Sequence, residues 1–200
     1  GSSLRALQLA ALSIGAGETD IVVAGGTESA SNVPYILSDA RWGHRMGKKV
    51  VDDVLHRDGF LCPLAGMFMG DTAELLNKKY NISRREQDEF ALDSQLKAKK
   101  AVMSGVFKEE IVPIEIKSKK GVKIFDTDEV HKETSLEGLA KLAPVFSEGD
   151  TVTAGNSCAL SDAASAIVAM SEEKAAELGI EPLAVIKSYS FVALEPKHMG

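Results

Sequence analysis

The chain has 200 residues, enough for one domain or two, and 44% apolar with 26% charged residues is the balance of a globular protein. A formal net charge of −6 and no basic cluster interleaved with aromatics exclude nucleic acid as a main partner. No run reaches the roughly 18 apolar residues of a membrane-spanning helix, and Cys62 and Cys158 lie outside any Cys-x-x-Cys or His-rich context, so membrane, structural metal and disulfide are all unsupported.

Gly1-Ser2-Ser3 leads into a helix over 3–14 that is apolar on nearly every side, and Gly15 and Gly17 end it. All-round apolarity predicts burial in a core. The small residues at its entrance admit two readings. One is an ordinary Gly/Ser cap; the other is a helix N-terminus whose N–H groups face a ligand or a reacting thiol. Ile21-Val22-Val23-Ala24, bounded by Gly25-Gly26, predicts a buried strand over 20–25. Residues 30–68 carry weak periodicity, many glycines and scattered aromatics, the texture of a long covering loop. Helical patterning returns over 72–80, and Asn81-Ile82 break it.

Ser83-x-x-Glu86 is a capping box that opens a long helix. Phe90, Ala91, Ser94, Ala98, Ala101 and Val102 are its expected inward face, and Gly105 its stop. Residues 110–117 alternate as a strand should, with Pro113 arguing for an edge. Lys119-Lys120-Gly121 turns the chain into a return strand over 122–125, giving a hairpin. A short helix over 135–142, capped by Thr134 or Ser135, stops before Pro144. The small, apolar run over 163–170 predicts a central strand packed on both faces. Ser171 then caps a helix that ends at Gly179, and 183–190 reads as a further strand. Strand, helix, strand around an insertion from about 30 to 160 predicts an α/β fold.

Few residues form a reactive constellation. His44, His56, His131 and His198 are scattered without metal-binding spacing, and read as surface residues or satisfied core groups. Asp52-Asp53 and Glu109-Glu110 are adjacent in sequence, so on regular elements they face apart. Gly25-Gly26 fits neither a dinucleotide fingerprint nor a P-loop.

Several segments carry a family likeness when taken in order. Gly1-Ser2-Ser3-Leu4-Arg5-Ala6 resembles the residues that follow the nucleophilic cysteine of thiolases, and Asp20–Ser29 the family's next strand and turn. Met69-Gly70-Asp71-Thr72-Ala73-Glu74 and Ser83–Asp88 resemble motifs of its substrate-covering loop domain. Val152–Asp162 resembles the loop along the pantetheine arm, and Glu195–Gly200 the start of the family's second half. The resemblance covers all 200 residues in the family's order.

It implies a partial, layered α/β/α/β/α thiolase fold with an inserted α+β loop domain. Residues 1–29 would belong to the N-terminal domain, 30–160 to the loop domain, 161–181 again to the N-terminal domain, and 182–200 to the start of the C-terminal domain. It places the nucleophilic cysteine just before Gly1 and the other catalytic residues after Gly200. The chain would then be an internal stretch of a thiolase, inactive alone.

The site residues the resemblance implies are binding residues. Phe60 and Phe146 match positions lining the coenzyme A channel. Phe68 and Met69 match a His-Met pair beside the acyl pocket, with phenylalanine replacing a polar wall by an apolar one. Met69 suits a narrow pocket for a short acyl group. Lys132 matches a basic residue near the nucleotide end, usually arginine, and lacks its planar fork. Ser157-Cys158-Ala159-Leu160 matches an Ala-Ser-Gly-Leu segment along the pantetheine chain, where Cys158 is expected as a small buried thiol.

The implied reaction is acetyl transfer between coenzyme A thioesters: two acetyl-CoA to acetoacetyl-CoA and coenzyme A, and the reverse. Coenzyme A enters as substrate, with no covalently bound cofactor and no metal. The implied assembly is a homo-oligomer, dimer or tetramer, in the cytoplasm. Two alternatives stand beside it: a non-catalytic acyl-CoA or lipid-binding relative of the thiolase fold, and an unrelated α/β binding protein.

Overall fold

The computed structural model describes residues 1–146 and 150–199. They form two compact units, Gly1–Leu55 with Leu160–Leu194, and His56–Ala159 with Glu195–Gly200.

The first unit begins with α1, Ser2–Gly15, which starts from Gly1 without a side-chain cap. Gly17 turns the chain out of it with a left-handed φ of 71°. Strand β1, Ile21–Ser29, pairs antiparallel with the later strand β8, Asp162–Met170. Ile21 stands opposite Met170, and Ser29 opposite Asp162. Helix α1 packs on both strands. Gly25 admits the paired strand, and Gly26 the helix. A Cβ on Gly25 would lie 2.5 Å from the Ser165 carbonyl oxygen, and one on Gly26 would lie 1.8 Å from the Ser3 hydroxyl oxygen. Ala10, Ala24 and Ala175 are the buried apolar residues of this unit. Ala175 belongs to α5, Glu172–Leu178, whose cap Ser171 accepts a hydrogen bond from the Lys174 N–H. Gly179 ends α5 at φ 65°.

Three sequence expectations fail here. Only Ala10 of α1 is buried, while Leu4, Leu9 and Leu12 are exposed, because the paired strands cover one side of the helix. Neither strand is packed on both faces, the expected buried strand over 20–25 included: among the described residues β1 and β8 pair only with each other, leaving Ile21, Val23, Ile167 and Val168 exposed. Residues 183–190 join no ladder among the described residues, although their composition favours strand. Strand propensity reflects packing against neighbours, and Leu183 and Val185 are exposed.

The stretch over 30–68 is more ordered than a loop. Strand β2, Tyr35–Ile36, pairs with β3, Asp52–Asp53, in the first unit. A π-helical turn, Leu55–Phe60, leads to β4, Leu61–Cys62, which pairs with β5, Met67–Phe68, in the second.

In the second unit, α2 covers Met69–Tyr80 and stops at Asn81, which takes a left-handed φ of 55°. Helix α3, Arg84–Ser104, opens on the expected capping box. The Ser83 hydroxyl accepts from the Glu86 N–H, while the Glu86 carboxylate accepts from the Ser83 N–H at 2.7 Å. Gly105 ends it at φ 75°. The hairpin is present as β6, Ile114–Ser118, and β7, Gly121–Phe125. Helix α4, Leu136–Ala140, is capped by Ser135 and packs on α3.

The inward face of α3 differs from the expected one. Phe90 is 77% exposed and Ser94 is exposed. The expected Ala91, Ala98, Ala101 and Val102 are covered, and in place of Phe90 and Ser94 the face takes in Arg84, Asp88 and Gln95, so that 84, 88, 91, 95, 98 and 102 follow one another at alternating helical spacings of four and three. The interior they border is polar. Leu139 and Val152 are buried there together with Asp71, Thr72, Glu74, Asp88 and Thr153.

Candidate functional site

The polar interior of the second unit has one organising feature: two buried carboxylates hold the loop over 151–156. Glu74, on α2, is 1% exposed. Its Oε1 accepts from the Thr151 N–H at 2.9 Å and the Val152 N–H at 2.7 Å, and its Oε2 accepts from the Thr151 hydroxyl at 2.6 Å. The Asn77 amide donates to the same hydroxyl oxygen at 2.8 Å. Burial pushes the Glu74 carboxyl up. The hydrogen bonds from Thr151 and Val152, with Asn77 behind them, outweigh that and hold it below the usual glutamate range.

Asp88, on α3, is 3% exposed. One carboxylate oxygen accepts from Arg84 Nε at 2.8 Å and the other from Asn156 Nδ2 at 3.0 Å. Asn156 also donates to the Thr151 carbonyl at 2.9 Å and accepts from the Thr153 N–H at 2.8 Å. Arg84 reaches on to the Leu139 and Leu142 carbonyls, at 2.5 and 3.2 Å, tying α3 to α4. Gly155 closes against α4: a Cβ there would lie 2.5 Å from Leu142 Cδ1 and 2.6 Å from Leu139 Cδ2. Buried carboxylates are stable only when paired and hydrogen-bonded, and both of these are.

The residues expected at a binding site fall around this frame as follows. Phe68 ends β5 and Met69 starts α2, and the Phe68 ring meets His56 with centroids 4.7 Å apart. The Phe146 ring lies on Gly70, where a Cβ would stand 2.0 Å from it, so Phe146 is brought beside the Phe68–Met69 step. Phe60 ends the π-helical turn, 43% exposed. The Lys132 N–H donates to the Gln95 side chain on α3 at 2.9 Å, and its own side chain is exposed. Ser157, Cys158 and Ala159 follow the clamped loop and are exposed, as is Leu160, which opens the return segment of the first unit. Helix α2 is therefore common to two groups of these residues. Its N-terminal turn carries Phe68, Met69 and Phe146, and Glu74, one turn further on, fixes the loop that leads to 157–159.

Three local expectations need correction. Cys158 is an exposed thiol, not a buried packing residue; Cys62 is half-buried, and both are free. His44, expected as a surface or satisfied group, has both ring nitrogens buried without a hydrogen-bond partner, and so has Nδ1 of His131. Glu74, Asp88, Asn156 and Arg84 were not anticipated as site residues. The available signal was Asp88 sharing a four-and-three stripe with Ala91, Ala98 and Val102, a position where an acid must find partners. A separate cleft of about 270 Å³, lined by Leu4, Leu7, Gln8, Ile186, Ser188 and Tyr189, contains none of the expected site residues. Among the described residues no group of histidine, cysteine and acidic side chains could hold a metal ion, and no helix is long and apolar enough to cross a membrane.

Comparison with known proteins supplies the family. The family model described as Thiolase, N-terminal domain, matches residues 1–173. The acetyl-CoA acetyltransferase of Syntrophomonas wolfei is 49% identical over 100% of this chain, which covers 51% of that protein. The crystal structure of the Bacillus anthracis acetyl-CoA acetyltransferase superposes with a TM-score of 0.92 at 43% identity, over 99% of this chain and 50% of that one. Human mitochondrial 3-ketoacyl-CoA thiolase superposes with a TM-score of 0.82 at 37% identity, over 92% of this chain and 47% of that one. The chain thus spans about half the length of the relatives it matches, its α/β fold is theirs, and it belongs to the thiolase family.

Proposed function

We propose that the protein carrying this chain is an acetyl-CoA acetyltransferase, and that this segment supplies walls of its coenzyme A channel. The observation that carries the reading is the 49% identity to an acetyl-CoA acetyltransferase along the whole chain. In this reading a cysteine thiolate just before Gly1 attacks the acetyl-CoA carbonyl. The C–S bond to coenzyme A breaks, and its thiolate leaves and takes a proton. The enolate of a second acetyl-CoA then displaces the enzyme thiolate, giving acetoacetyl-CoA. Covalent transfer divides one hard condensation into two easier steps.

What supports the placement of the nucleophile is the start of α1. A 14-residue helix begins at Ser2 from a Gly1 cap that adds no competing side chain. The positive end of such a helix favours a thiolate beside it. Phe68 and Met69 form the acyl-side wall, and Phe60, Phe146, Lys132 and Ser157–Leu160 line the coenzyme. Coenzyme A is a substrate here, with no metal and no covalently bound cofactor. The remaining catalytic residues belong beyond Gly200, so the 200-residue segment alone is inactive. The same reading includes a cytoplasmic homo-oligomer, dimer or tetramer.

The test is trapping of the first intermediate. The protein carrying this chain is mixed with acetyl-CoA, digested and weighed by mass spectrometry. An acetyl group on a cysteine next to the Gly1-Ser2-Ser3 peptide, discharged by added coenzyme A, is the expected result. Coenzyme A binding without any acetyl-cysteine would instead favour a non-catalytic acyl-CoA-binding relative.

A further inference from the structure

We propose that Glu74 and Asp88 are positioning residues that fix the loop over 151–156 in one ligand-ready conformation, so that 157–159 are presented to the coenzyme arm. The ligand assignment rests on the function proposed above; the clamp itself rests on the hydrogen bonds of the second unit. Its logic is electrostatic. An ionised carboxylate accepts only, and both oxygens of Glu74 face loop donors: two backbone N–H groups and one hydroxyl. If the loop left, a carboxylate with 1% exposure would lose all three of those donors at once. Asp88 acts through Asn156, whose amide both donates to Asp88 and bridges Thr151 to Thr153. Gly155 then seats on Leu139 and Leu142 without room for a side chain. Two carboxylates on two helices thus set six consecutive loop residues directly before Ser157. A loop ordered in advance spares the ligand that ordering cost.

The experiment uses the protein that carries this chain and compares it with Glu74→Gln and Thr151→Val. Three quantities are read: hydrogen exchange at the Thr151, Val152 and Thr153 amides, coenzyme A affinity by calorimetry, and KM with kcat for thioester turnover. Glutamine keeps shape and size but turns one acceptor into a donor that faces loop donors. The expected result is faster exchange at those amides and coenzyme A affinity roughly tenfold weaker, the scale of one or two charged hydrogen bonds. KM should rise more than kcat falls, which general destabilisation would not produce. Thr151→Val removes only the hydroxyl, so it folds if Glu74→Gln does not, and should show the same pattern at severalfold. Unchanged exchange at 151–153 in a folded variant overturns the clamp. Faster exchange with unchanged affinity and KM overturns its role in presentation. Failure of the unsubstituted protein to bind coenzyme A overturns the ligand assignment, while the exchange data still judge the clamp.

Discussion

The two units are held together by different means. In the first, the buried apolar residues are alanines, and the organising element is the β1–β8 ladder, closed tightly at Gly25 and approached by α1 at Gly26. In the second, carboxylates and hydroxyls occupy the interior, and side-chain hydrogen bonds to backbone and side-chain groups far away in sequence do the joining. Main-chain pairing is tolerant of side-chain identity but intolerant of bulk between strands. A carboxylate clamp is the reverse, since volume matters less there than the count of donors and acceptors. The first design suits a scaffold, and the second suits a loop that must hold one shape without a large apolar core beneath it.

Substitutions can separate the two. The largest expected effect is on the ladder: Gly25→Ala places a methyl 2.5 Å from the Ser165 carbonyl oxygen, which is backbone and cannot rotate away. A loss of about 2 kcal/mol is expected, the usual scale of overpacking. Hydrogen exchange should rise across β1 and β8 and stay unchanged at Thr151 and Val152; a uniform rise would mean that the units are not independent. Next is Ser83→Ala, which removes the capping box of α3 and should cost about 1 kcal/mol in denaturant unfolding, felt only in the second unit.

The smallest effect comes from acid below the usual glutamate range. Glu74 has its carboxyl held below the usual glutamate range, so its contribution is complete above the unfolded value and is lost as pH falls through the folded one. Protection of the Thr151 and Val152 amides, taken relative to their intrinsic exchange at each pH, should therefore fall in acid, with Glu74→Gln abolishing the pH step. Asp162 in the first unit is also held low, by the Ser31 hydroxyl and N–H, but it is exposed and solvent weakens its effect. A larger acid response in the first unit would reverse the contrast.

Local chemistry was legible in the sequence. The Ser83–Glu86 box, Gly105, the 119–121 turn, and the Ser171 cap with its Gly179 stop all appear where short-range rules place them. The inward face of α3 was legible only in part: apolarity marks Ala91, Ala98, Ala101 and Val102, but not Arg84, Asp88 and Gln95, which share that face. The partners of Arg84 and Asp88 lie in α4 and the loops after it: the Leu139 and Leu142 carbonyls and Asn156 are 55 to 68 residues away. No window of sequence reveals such partners. The two-residue strands at 35–36 and 52–53 fail for a related reason, since pairs that short carry no period. Of the expected site residues, Phe68, Met69 and Phe146 come together through the bare face of Gly70. Cys158 was expected to be buried from its chemistry as a small apolar thiol, and its place after a clamped surface loop decided otherwise.

The β1–β8 ladder has a kinetic consequence. Ser31 and Asp162, which meet at its end, are 131 residues apart in the chain, and closing so long a loop costs entropy before any strand pair forms. The main segment of the second unit, His56–Ala159, lies within that span and shortens the effective loop once it has folded. The chain should therefore fold from its middle outward, with the two terminal segments zipping last.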